Sequence, residues 1–212
     1  MIRDTKKYTL VSAGKVRAIV SSTNASPINV EVTAHGFATG DKVTINGHLV
    51  NTAANGTWVI TKVDANNFTL DGSTGNGVGG ATGCVADFIK PIFVPDFRHL
   101  LVSIATDGGG DAAMTVKCVA SIQDLAGNEP NPQKAPVDFA AARSVANNFE
   151  FIQMIDKQSG GSGLAGDTGF VVATADDYRI FEVNTNGLAW LCFLPTAGTA
   201  GEVTIKALAL DP

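Results

Sequence analysis

The sequence is short of charge, of cysteine pairs and of long apolar runs. Asp, Glu, Lys and Arg make up 17% of its 212 residues, and the balance is acidic, with a formal net charge of −5 and a pI near 5.1. A nucleic-acid binder would show a basic face, so this balance argues against nucleic acid as a partner. The one local cluster of cations is at the start: Arg3, Lys6 and Lys7. Three cysteines, Cys84, Cys118 and Cys192, stand far apart and form no CxxC pair. They describe no disulfide framework and are expected as small buried side chains made in a reducing compartment, with a bridge between two strands or subunits left open. No apolar run approaches the ~20 residues of a membrane span. Residues Met1–Leu10, MIRDTKKYTL, are polar where a secretory signal needs an apolar stretch. A soluble chain made in the cytoplasm is expected, with no membrane partner.

Motifs that carry chemistry are also missing. His35 and His48 are thirteen residues apart, on different turns, and His99 lies in another part of the chain. A zinc site would want a tighter pair and two more ligands, as in HxxxH or CxxC. The glycine-rich run Gly72–Gly83 has no GK[ST] and no following helix to hold a phosphate. GSGLAGDTG (Gly161–Gly169) lacks the D-x-[DN]-x-[DN]-G spacing of a calcium loop, and no GxSxG occurs. No metal, no cofactor and no enzyme activity are expected. A carboxylate pair for polysaccharide hydrolysis is the exception that sequence does not test, since such pairs meet only in the fold.

What the chain does have is short strands and the turns between them. VRAIV (Val16–Val20), INVEV (Ile28–Val32), KVTI (Lys42–Ile45), TWVITKV (Thr57–Val63) and NFTL (Asn67–Leu70) are joined by segments rich in Gly, Asn and Asp. Strands of that length and spacing predict a small β-barrel module over residues 15–87, ending in the six-glycine run GSTGNGVGGATG. A second block, 88–212, carries about eight strand candidates, among them HLLVSIAT (His99–Thr106), MTVKCVASIQD (Met114–Asp124), YRIFEVN (Tyr178–Asn184), LAWLCFL (Leu188–Leu194) and GEVTIKALAL (Gly201–Leu210). That count suits an antiparallel, jelly-roll-like β-sandwich. LAGNEPNPQKAP (Leu125–Pro136) reads as a surface loop, and only Val137–Asn148 suits a helical turn. Residues 1–14 read as an N-terminal arm or a lead-in strand. Trp58 and Trp190 lie inside apolar strands, where core packing is the ordinary role and sugar stacking the alternative. The expectation is an all-β protein.

One stretch points to a family. AHGFATGDKVTINGHLVNTAANGTWVITKVDANNFTLDGSTGNG (Ala34–Gly77) resembles the small β-barrel module of the ubiquitin-activating enzyme FCCH-domain type, found in phage virion proteins. The resemblance covers about residues 15–87: an HGFxTGDxVxI turn and strand, then NTAANGxW, then VDANxFTLxGSTGNG. It implies no ubiquitin chemistry, because the module is accessory in that enzyme. The second block resembles, more loosely, the β-sandwiches of phage structural proteins. Together these imply a non-enzymatic structural component of a tailed-phage virion that contacts other virion proteins and forms a homo-oligomer. A short chain without a fibrous repeat favours a capsid decoration or cement protein. In that role Arg3, Lys6, Lys7 and Tyr8 are the expected capsid-contacting residues, suited to an acidic capsid surface. The alternative is a tail or baseplate accessory that stacks host glycan on Trp58 or Trp190.

Overall fold

The computed structural model describes residues 5–94, 96–107, 114–121, 150–172, 177–197 and 200–210. Arg3, the expected loop Leu125–Pro136 and the expected helical turn Val137–Asn148 lie outside the described residues. Among the described residues seventeen strands follow in chain order: β1 Thr5–Ala18, β2 Ser21–Ser22, β3 Ile28–Glu31, β4 Lys42–Asn46, β5 Gly56–Lys62, β6 Asn67–Leu70, β7 Cys84–Asp87, β8 Ile92–Phe93, β9 His99–Asp107, β10 Thr115–Ser121, β11 Glu150–Phe151, β12 Met154–Asp156, β13 Ser162–Leu164, β14 Phe170–Val171, β15 Asp177–Asn184, β16 Trp190–Ala197 and β17 Ala200–Leu210. The one helical element among the described residues is a 3-10 turn at Thr52–Ala54, and no helix there is long and apolar enough to cross a membrane. The protein is all-β and antiparallel, a sandwich.

One long sheet runs β13-β12-β15-β9-β17-β1-β7-β4-β5-β6-β3-β2; a smaller one runs β11-β10-β16-β8, with β14 also on β10. Period-two alternation explains the interior. In β9, Leu100, Val102 and Ile104 are buried, while Leu101, Ser103 and Ala105 on the other face are only half-buried. Those three buried residues meet Val203, Ile205, Ala207 and Ala209 of β17, Phe181 and Val183 of β15, and the inner face of the small sheet, Val116, Cys118, Leu191 and Phe193. The opposite face of the small sheet is apolar too, with Val119, Phe151, Cys192 and Leu194 in a cluster of their own flanked by Trp190. A further core closes between the hairpins of the first half: Ile28, Val30, Phe37, Val43, Ile45, Ile60, Phe68 and Leu70.

The two main cores share a wall. In β7, Cys84 and Ala86 face the sandwich core, and Val85 between them faces the other. Three consecutive residues are buried because the strand has apolar matter on both sides.

One expectation is corrected here and another narrowed. The module over 15–87 is not a closed barrel: among the described residues its strand order ends openly at β2, which pairs only with β3 beyond a single bridge, Ser22 to Gly79. Of the two readings of residues 1–14, an arm or a lead-in strand, the segment from Thr5 onward takes the second and is sheet. β1 pairs with β17 from Thr5↔Leu210 to Arg17↔Ala200, then with β7 over Val16–Ala18, so it joins the two halves of the chain. Its apolar side chains Tyr8, Leu10 and Val11 pack on the sandwich core, which a free arm would leave in water.

Candidate functional site: a groove between two strand edges

β8 is a two-residue strand that follows Pro91 and, among the described residues, pairs only with β16, as Ile92↔Leu191 and Phe93↔Trp190. Proline donates no backbone hydrogen bond, so a sheet ends naturally beside it. The chain after β8 is pinned in place: Val94 N–H donates to Ala189 O at 2.8 Å, Thr185 Oγ1 to Phe97 O at 2.8 Å, and Thr185 N–H to Arg98 O at 2.8 Å. Across from this rigid rim runs β1. β7 reaches only its last residues, so among the described residues Thr5–Leu10 is paired on the β17 side alone.

Between the two lies a groove of ≈ 620 Å³. The consecutive residues Lys6–Leu10 all line it, so β1 presents an edge there rather than one face. Phe93, Phe97 and Trp190 give the opposite wall an aromatic character. The Phe93 and Trp190 rings sit 4.9 Å apart, tilted by 52°, and Phe93 is the more open at 41% exposure. Lys6, Lys7 and Lys90 line the groove against one acid, Asp96, reversing the balance of the whole chain. Lys6 Nζ lies 5.2 Å from the centre of the Tyr8 ring, within range of a cation–π contact. Among the described residues two buried donors here have no hydrogen-bond partner, the Tyr8 hydroxyl and Trp190 Nε1. Buried polar groups are nearly always paired, so two orphans on one groove are unusual.

Of the residues expected from sequence, Lys6, Lys7, Tyr8 and Trp190 are brought together in this groove, although they entered as two separate candidates. Trp58 is elsewhere: it sits on β5, half-buried against the core of the first half, and its Nε1 donates to Ala54 O at 2.8 Å. The two tryptophans therefore form no ladder. Sequence reasoning missed Lys90, Phe93, Asp96 and Phe97. The signal was KPIFVPDF, a short apolar run bounded by prolines, which marks an edge strand.

The histidines are used otherwise. His48 Nδ1 lies 2.8 Å from Thr82 O, so that nitrogen carries the proton and donates. Nε2 then accepts from the Ser22 hydroxyl at 2.7 Å, and Asn51 Nδ2 donates to the same Ser22 Oγ at 3.0 Å. A serine on a histidine oriented by a third group is the geometry of an activated nucleophile. Here Ser22 and His48 are 2% and 1% exposed, and Gly79 lies so close that a Cβ on it would overlap His48 Nε2. With no room for a substrate, the cluster ties β2 to the turns around residues 48 and 79–82. His35 is likewise built in: Nδ1 accepts from Phe37 N–H at 2.9 Å, Nε2 faces Asp64 O at 3.0 Å, and the ring meets Phe37 and Phe68.

Burial pushes the thiols of Cys84 and Cys192 up to about 12 and that of Cys118 well above the ordinary range, and none of the three is bonded to another. Asp156 is raised by burial, but hydrogen bonds from Ser159 Oγ and from Gln158 and Ser159 N–H outweigh this and hold it below its usual value. It caps a turn. Among the described residues no group of three or more His, Cys, Asp and Glu is placed to hold a metal ion.

No family model and no curated protein matches the chain. Among solved structures, the chain is similar to the crystal structure of the SPBc2 prophage-derived protein YomS, with a TM-score of 0.42 and 10% identity over 100% of this chain and 96% of that one. The likeness is too distant to carry a function. The resemblance of residues 15–87 to the FCCH-type module thus rests on its motifs alone.

Proposed function

We propose that the chain is a non-enzymatic structural component of a tailed-phage virion, a decoration or cement protein of the head that docks on other virion proteins through the groove between β1 and β8. The observation that carries this reading is the contrast in how polar groups are used: Ser22, His48, Asn51 and His35 are spent on turns, whereas Tyr8, Trp190 and three lysines collect on one open groove. The motifs of residues 34–77 supply the virion context. Lysines on the rim would steer an acidic capsid surface into register, and burial of the aromatic wall would hold it. Purified virions labelled with antibody to this protein test it. Many labels per head are expected; unlabelled virions, with the protein left in the lysate, overturn it.

The chain would also assemble with itself. On the outer face of the large sheet Leu101, Ile180, Leu208 and a Tyr178 that is 53% exposed line a shallow depression of ≈ 420 Å³ between Lys7 and Lys206. Sedimentation should show an oligomer, and Tyr178→Glu should return it to monomer.

A second reading, a tail or baseplate accessory binding host glycan, is favoured by the exposed ring of Phe93 beside Trp190. It predicts label on tails and adsorption of the isolated protein to host polysaccharide, lost in Phe93→Ala.

A further inference from the structure

We infer that the groove takes an extended acidic segment of a partner protein, added as a strand along the edge of β1 that no described strand covers. This names the occupant of the docking groove and rests on the proposed role in that respect alone.

The backbone is the first reason. Thr5–Leu10 of β1 has β17 on one side and no described strand on the other, and β8 has β16 on one side only. An unpaired strand edge offers a row of N–H and C=O groups that another extended chain completes. Lys6–Leu10 line the groove consecutively, so that row opens into it.

Charge sets the partner's composition. Lys6, Lys7 and Lys90 outnumber Asp96 on a chain whose net charge is −5. Lys6 and Lys7 point to opposite faces of β1, so carboxylates on one face of an added strand would meet one of them, and apolar residues of the segment would meet Phe93 and Phe97. A sugar fits less well. It needs a flat open ring, and the Trp190 ring is half-buried with Phe93 tilted onto it at 4.9 Å.

The probe is a short fluorescein-labelled peptide of alternating valine and glutamate, titrated against the full chain by fluorescence anisotropy. It should bind, while the same peptide with lysine for glutamate should not. The double variant Lys6→Glu, Lys7→Glu changes two exposed side chains and should weaken binding about tenfold or more with an unchanged thermal melt. Methylating the backbone nitrogens of the probe should abolish binding, because it removes the donors that pair with β1. The inference is overturned if the methylated peptide binds as well as the parent, or if charge reversal leaves the affinity unchanged. It is also overturned if the groove takes host polysaccharide instead, or if Phe93→Ala, which lies in the groove and not on the outer depression, abolishes self-association, which would make the occupant a second copy. Virion labelling is read independently. Labelled heads without peptide binding sink this inference alone; peptide binding without labelled virions sinks the virion role alone.

Discussion

Two clusters of polar side chains, at opposite ends of the fold's needs, make a useful pair. Around Ser22, His48 and Asn51 every side-chain donor finds an acceptor, and the side chains are buried. Around Tyr8 and Trp190 two donors are buried and find none among the described residues. The first arrangement is what a protein does with polar groups that hold its own turns: a satisfied network rigidifies, and any gap in it is costly. The second costs stability in the isolated chain. Comparing them separates residues that serve the fold from those kept for a partner, a distinction that residue type alone hides, since histidine and serine sit in the structural cluster and tyrosine and tryptophan in the docking one.

The largest effect should come from breaking the satisfied cluster at its backbone. Gly83 has φ +75°, and a Cβ on it would collide with Asn46 O and lie 2.6 Å from the Gly47 carbonyl carbon and 2.7 Å from His48 N. All three are main-chain atoms and none can swing aside. Gly83→Ala should lower unfolding free energy by about 3 kcal/mol, combining steric overlap with left-handed strain. Urea denaturation would measure it; a loss no larger than that of an exposed-loop substitution would mean the turn is not held as described.

His48→Ala comes next. It leaves Ser22 Oγ–H and the Thr82 carbonyl without their partner in a buried place, at a cost of about 2 kcal/mol. The groove should behave oppositely. Tyr8→Phe removes an orphaned hydroxyl and keeps the ring, so it should raise stability by up to about 1 kcal/mol. Destabilisation by Tyr8→Phe would show that the hydroxyl has a partner inside the protein, and the contrast between the clusters would collapse.

Much of the fold was legible because alternation leaves a period-two trace wherever one face is buried. Ile28, Val30 and Leu100, Val102, Ile104 are buried as their spacing implies. β7 was not legible. At four residues, buried on both faces and next to the six-glycine run, Cys84–Asp87 has no alternation to betray it. The division at residue 87 fails for the same reason: β7 serves two cores, and its partner β1 comes from the other end of the chain. The candidate site was legible in its parts. Lys6, Lys7, Tyr8 and Trp190 were visible as unusual residues, but their meeting depends on β1 lying along β17, a pairing across nearly the whole sequence that no local pattern encodes.

A third polar group completes the comparison and carries the smallest effect. On the outer face of the large sheet Glu182 accepts from Lys157 Nζ at 2.9 Å and lies 3.1 Å from His99 Nδ1, and all three are partly exposed. These groups are partnered like the Ser22 cluster but open to water like the groove. The hydrogen bond from Lys157, then the charges of Lys157 and His99, hold the Glu182 carboxyl below its ordinary 4.5 against a smaller upward push from burial. A folded-state value below the unfolded one means that the carboxylate stabilises the fold above pH 4.5, and that this contribution is lost as the pH falls through the folded value. Glu182→Gln should therefore cost about 0.5 kcal/mol at neutral pH and nothing once the wild-type carboxyl is protonated, so that the two stability curves converge in acid. A cost at neutral pH as large as that of His48→Ala would mean that exposure does not weaken a partnered group here, and that burial is not what divides the clusters.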